Sequence, residues 1–111
     1  MKALVAMVAA LFLSPAIADD TAAQDGTVRR YLIERTFPAG ALDGLDAATK
    51  EKVNTNNASV GVRWLHSYAN ADKTKTFCVY EGPSETAVRE AAMLNGLPID
   101  SVTEVPVDLE P

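Results

Sequence analysis

Two runs rich in aromatic and β-branched residues, Val60 to Tyr68 and Thr74 to Glu81, are separated by the short polar stretch Asn70-Ala71-Asp72-Lys73. A connection this brief joins only antiparallel neighbours, so the pair predicts a β-hairpin, which sets the sheet around it. Upstream, Arg30 to Phe37 (RYLIERTF) has strand composition and is stopped by Pro38 and Gly40. Between that strand and the hairpin, Leu42, Leu45, Ala48, Thr49, Lys52 and Val53 recur at three- and four-residue steps, predicting a helix from Leu42 to about Asn56. Asn54, Asn56 and Asn57 blur its end, because asparagine prefers turns and caps.

After the hairpin, Gly82-Pro83 ends the strand and Ser84 stands as a helix N-cap, with Glu85 in the first turn. Val88, Ala91, Ala92 and Leu94 form the buried stripe of this second helix; Asn95-Gly96 closes it and Pro98 prevents continuation. Ser101 to Val107 (SVTEVPV) reads as a last strand, and Pro106, lacking an amide donor, places it at a sheet edge. The order β-α-β-β-α-β predicts an α+β chain of ferredoxin-like form: a four-stranded antiparallel sheet with both helices on one face. Its opposite face must be polar, bind something, or be buried against another subunit.

Residues 1–18 read as an address. Lys2 precedes an apolar run from Ala3 to Leu13, Ser14-Pro15 breaks it, and Ala16-Ile17-Ala18 has the small-x-small form of a signal-peptidase site, with cleavage expected after Ala18. A transmembrane helix is the rival reading, but this run reaches roughly 17 Å against a hydrocarbon core of about 30 Å. Residues 19–29, mostly small and polar, form a flexible arm, and residues 30–111 the domain. The expected localisation is periplasmic or secreted. A net charge of -5 argues against nucleic acid as a partner, and no membrane association is expected once the leader is cleaved. The single Cys closes no disulfide within the chain.

Three segments, VRWLHSY at Val62 to Tyr68, KTFCVYEGPSETAVREAA at Lys75 to Ala92 and NGLPIDSVTEV at Asn95 to Val105, together with YLIERTFPAG at Tyr31 to Gly40, carry a family resemblance. The chain resembles a small bacterial ferredoxin-like domain of unknown function related to nickel-responsive, nickel-binding proteins. The resemblance implies a ferredoxin-like fold, a dimer, and nickel or another divalent transition metal as ligand. It does not place a ligand set on these positions.

A geometric argument does suggest one. With Asn70 opposite Thr74, His66 falls opposite Cys78 and Trp64 opposite Tyr80. Alternation then puts Leu32, Glu34, Trp64, His66, Tyr68, Cys78, Tyr80 and Glu104 on one face, and Ile33, Phe37, Leu65, Phe77, Val79 and Val105 on the other. The second set makes the better core. With the strands in the order fourth, first, third, second, Glu104, Glu34, Cys78 and His66 form a row across the open face, a candidate transition-metal site. Against it stand ordinary roles: Cys78 as a small buried hydrophobe, Glu34 and Glu104 as solvated residues or ion-pair partners of Arg30, Arg35 or Arg63, and Trp64, Tyr68 and Tyr80 as anchors of a homodimer interface or ligand face. A one-residue slip of the hairpin destroys the row. Asn57-Ala58-Ser59 matches a glycosylation sequon, a short pattern frequent by chance.

Catalysis has less behind it. His66 and Cys78 lack an oxyanion donor on a flat sheet, Gly82-Pro83-Ser84 lacks the surroundings of a nucleophile elbow, and there is no Gly-rich phosphate loop. The expectation is a non-catalytic metal-binding domain. The alternative is a metal-free protein-protein or small-ligand module using the open face, its small molecule unknown.

Overall fold

A computed structural model describes residues 27–111. The leader expected over residues 1–18 and most of the arm after it lie outside the described residues. The elements follow in the order β1 (Arg29–Thr36), a 3-10 turn (Ala41–Gly44), α1 (Ala47–Ala58), β2 (Arg63–Ala69), β3 (Lys75–Gly82), α2 (Glu85–Asn95) and β4 (Ser101–Glu104). All strand pairs are antiparallel and the sheet order is β2-β3-β1-β4, the ferredoxin-like α+β arrangement. β4 lies at an edge and stops before Pro106, although Val105 N still donates to Arg30 O at 2.9 Å.

The core sits between the central strands and the helices. On β1, Tyr31, Ile33 and Arg35 are buried and alternate with half-exposed neighbours; on β3, Thr76, Cys78, Tyr80 and Gly82 do the same. Ala87, Val88 and Ala91 of α2 pack onto Tyr31, Ile33, Cys78 and Tyr80 from that side. Gly82 is where β3 comes closest to its neighbours: a Cβ there would stand 3.1 Å from Val62 Cγ2 and 3.3 Å from Val88 Cγ2.

α2 has the ends its sequence predicts. Ser84 accepts a hydrogen bond from Ala87 N at 3.1 Å, and Gly96 takes the left-handed conformation (φ 67°) while Leu97 N donates to Ala92 O.

α1 differs from expectation at its start. Leu42 lies in the 3-10 turn, Leu45 follows it, and the helix begins only after Asp46, whose carboxylate accepts from Thr49 N at 2.8 Å. That hydrogen bond holds the Asp46 carboxyl below the usual carboxylate range. The physical reason is Gly40, which turns the chain in left-handed conformation, and an Asp cap nearer the helix. The asparagines that blurred its other end are its contact with α2: Asn56 Nδ2 donates to Asn95 Oδ1 and Asn95 Nδ2 to Asn57 Oδ1, both at 2.9 Å. Asn57 is 1% exposed, so the asparagine of the sequon is enclosed between the helices.

The polar helix contact and the N-cap differ in burial, so they differ in worth. Asn95→Ala leaves Asn57 buried with its amide oxygen unpaired and is expected to destabilise by about 1–3 kcal/mol. Ser84→Ala is expected to lose about 1 kcal/mol. Denaturant unfolding checks both; a smaller loss for Asn95→Ala than for Ser84→Ala contradicts the role given to the asparagines.

Candidate functional site

The hairpin turn decides which side chains meet. Asn70 Oδ1 accepts from Thr74 N at 3.0 Å and from Lys75 N at 2.9 Å, Asn70 N donates to Lys75 O, and Lys73 is left-handed at φ 60°. Asn70 therefore pairs with Lys75, one residue beyond Thr74. The offset runs up the hairpin through Ala69↔Thr76, Tyr68↔Phe77, Ser67↔Cys78 and His66↔Val79. At the far end Arg63 pairs with Glu81 and Trp64 with Tyr80, in the expected register. Leu65 is the extra residue between the two registers, a β-bulge. Because of it Trp64 and Ser67 share a side, and Trp64 Nε1 donates to Ser67 Oγ at 2.8 Å.

The expected row Glu104, Glu34, Cys78, His66 is not formed. His66 stands opposite Val79 and is exposed, its ring edge-on to Tyr68 with centroids 4.6 Å apart. Cys78 pairs with Ile33, is 6% exposed and faces the helices, with Sγ 3.6 Å from Thr76 Oγ1. β1 is also one step from expectation: Leu32 faces Val79 and Glu34 faces Phe77, both on the open side, while Glu104 pairs with Tyr31 on the covered side. Each glutamate has a cationic neighbour, Glu34 with Lys75 Nζ at 3.8 Å and Glu104 with Arg29 at 3.5 Å. Among the described residues no three His, Cys, Asp or Glu side chains gather as a metal-holding group.

The aromatic face divides in the same way. Tyr68 is 63% exposed on the open side, whereas Tyr80 is buried and Trp64 packs against the core. Phe77 and Val79, expected in the core, lie half-buried on the open side. A strand has a side-chain period of two, so a one-residue slip exchanges the faces.

On the covered side there is a cleft of about 310 Å³ between the sheet and α1. Phe37, Leu42, Leu45, Val53, Trp64 and Leu97 give it apolar walls. Arg35, 2% exposed, lies among them; its Nη1 donates to Pro98 O at 2.7 Å, its Nη2 to Tyr80 Oη at 3.3 Å, and its guanidinium carbon is 5.7 Å from the Tyr80 ring centroid. The Pro98 carbonyl is held in place by the next turn of chain: Asp100 N donates to Glu34 O at 2.8 Å, and the Asp100 carboxylate accepts from Thr36 Oγ1 at 2.5 Å and lies 3.4 Å from Lys75 Nζ. The Thr36 hydrogen bond lowers the Asp100 pKa; partial burial opposes it, and Lys75 adds to the lowering. The cleft was missed by sequence reasoning, which treated Arg35 only as an ion-pair partner. The available signal was its spacing: Tyr31, Ile33 and Arg35 alternate on one strand, which carries Arg35 to the core side.

Fold and site together define a small ferredoxin-like α+β domain with one open sheet face and a cleft under its helices. The family model for nickel-responsive SCO4226-like proteins matches residues 31–105, and the chain belongs to that family. Among solved structures it is similar to SCO4226 from Streptomyces coelicolor A3(2), with 20% sequence identity and a TM-score of 0.62 over 72% of this chain and 99% of that one. That likeness supports the fold alone. No curated protein matches the chain.

Burial pushes the Tyr80 phenol above its ordinary pKa of 10.0, outweighing the opposing pull of Arg35, while Cys78 adds to the rise. An unfolded tyrosine releases its proton near pH 10. The stabilisation from a buried neutral Tyr80 is therefore complete below about pH 10 and lost as pH rises through the higher folded value. Ultraviolet titration is expected to show a late-ionising phenol that Tyr80→Phe removes; the same profile with and without Tyr80 contradicts this.

Proposed function

We propose that this protein is a non-catalytic domain that binds nickel or another divalent transition metal, works as a homodimer paired through the open sheet faces, and is exported to the periplasm or beyond. The observation that carries the reading is the position of His66, the single imidazole of the sequence, exposed on the uncovered side of β2 beside Tyr68. Imidazole is a good donor for nickel and copper. Membership of a family described as nickel-responsive supports the choice of metal, and the leader-like form of residues 1–18 supports export.

One chain alone does not fit a metal. Cys78 is on the other side of the sheet from His66, and Glu34 is separated from His66 by β3 and lies beside Lys75. The remaining donors come from a second copy and from water. Leu32, Phe77, Val79 and Tyr68 give the open face the apolar character that a two-fold partner covers.

Calorimetric titration of the untagged domain with nickel, cobalt, copper and zinc tests this. The expected result is one metal per two chains, abolished by His66→Ala and unchanged by Cys78→Ser. Binding unchanged in His66→Ala, or none below about millimolar metal, overturns it.

A further inference from the structure

The cleft under the helices is independent of the nickel reading. Arg35 is 2% exposed, and among the described residues no carboxylate forms an ion pair with it. A guanidinium offers five N–H donors, and the bonds to Pro98 O and Tyr80 Oη account for two. Lysine can shed its proton when buried; arginine does not, so its charge needs an opposite charge or a dense set of acceptors. The lining adds a second cation, Lys73, and contains no Asp or Glu, although the chain as a whole carries a net charge of -5. The acids lie elsewhere on the molecule, leaving a positive, apolar-walled hollow of a size that holds a small molecule.

We propose that this cleft binds a small monocarboxylate with an aromatic or branched apolar body. Its carboxylate lies against the free edge of the Arg35 guanidinium, whose planar fork matches two oxygens at once, and accepts a hydrogen bond from the Tyr80 hydroxyl. Tyr80 stays protonated at neutral pH and so keeps a hydrogen to donate. The apolar body lies against Trp64, Leu45 and Leu97. At about 310 Å³ the cleft is near the lower end of the range for small-molecule sites, about 300–1,000 Å³, which suits a small acid.

Trp64 is the single tryptophan and lines the cleft, so its fluorescence reports occupancy directly. The probes are sodium phenylacetate, benzoate and isovalerate, with phenylacetamide as the neutral counterpart of the first and sodium acetate at equal ionic strength as the anion without a body. At least one of the three acids is expected to give a saturable change, with phenylacetamide binding about tenfold or more weakly than phenylacetate, the scale of lost charge-assisted hydrogen bonds. Arg35→Met is expected to remove the preference of acid over amide. Because that change is in the core, amide shifts of the unaltered protein provide a second measure: phenylacetate is expected to move Trp64, Thr76 and Leu97. Equal binding of acid and amide, an equal response to acetate alone, shifts centred on His66 and Val79, or no saturable change with any of the three acids overturns the proposal.

Discussion

The bulge at Leu65 is the constraint on which the two sides of this sheet depend. The Asn70-centred turn imposes one pairing offset between β2 and β3, and the Trp64–Tyr80 pair at the other end has another. An extra residue must lie between them. Its position sends Trp64 and Ser67 toward the helices and His66 and Tyr68 toward the open side. A bulge elsewhere on β2 would exchange these residues, because alternation leaves no intermediate placement. The separation of a solvent-facing imidazole from a buried thiol thus follows from a local feature of one edge strand.

The covered side has an unusual core for so small a domain. Arg35 lies between the aromatic ring of Tyr80 and the carbonyl of Pro98, in the middle of otherwise apolar packing. Charged groups are placed in such surroundings only with enough polar partners, since an uncompensated buried charge costs several kcal/mol. One such partner is supplied from a distance: Thr36, Lys75 and Asp100 hold the segment before β4 so that Pro98 O reaches the guanidinium, whose remaining donors are left for the cleft. The cleft and the β4 edge are therefore mechanically connected. The open side has the opposite character, with half-buried Phe77 and Val79 beside ion-paired glutamates and an exposed histidine.

Much of this architecture is legible in the amino-acid order. Ser84 and Gly96 mark both ends of α2, Pro106 marks β4 as an edge, and the strand and helix runs specify the sheet order. The register was not legible, because it depends on the left-handed Lys73 and on two hydrogen bonds accepted by the Asn70 side chain. Neither is encoded by hydrophobic alternation. Cys78 and Tyr80 were placed on the open face, and Phe77 and Val79 in the core, because β3 was aligned with Glu34 beside Cys78, whereas Ile33 takes that place and carries Cys78 and Tyr80 to the covered side. The start of α1 was misread for a related reason: apolar spacing continued backward through Leu45 and Leu42, while the cap at Asp46 determined where the helix begins. Arg35 was visible as a charged residue in a buried-strand pattern, but its cleft requires α1 and the Leu97 loop to be in place around it.

The central claim is that the Leu65 bulge separates His66 from Cys78, and cross-strand nuclear Overhauser effects in the assigned domain test it most directly. The account predicts that backbone protons of His66 contact those of Val79, that those of Ser67 contact those of Cys78, and that Cys78 contacts Ile33 on its other side. Contacts directly between His66 and Cys78, in a β2–β3 ladder with no interruption at Leu65, would contradict it and return both side chains to one face.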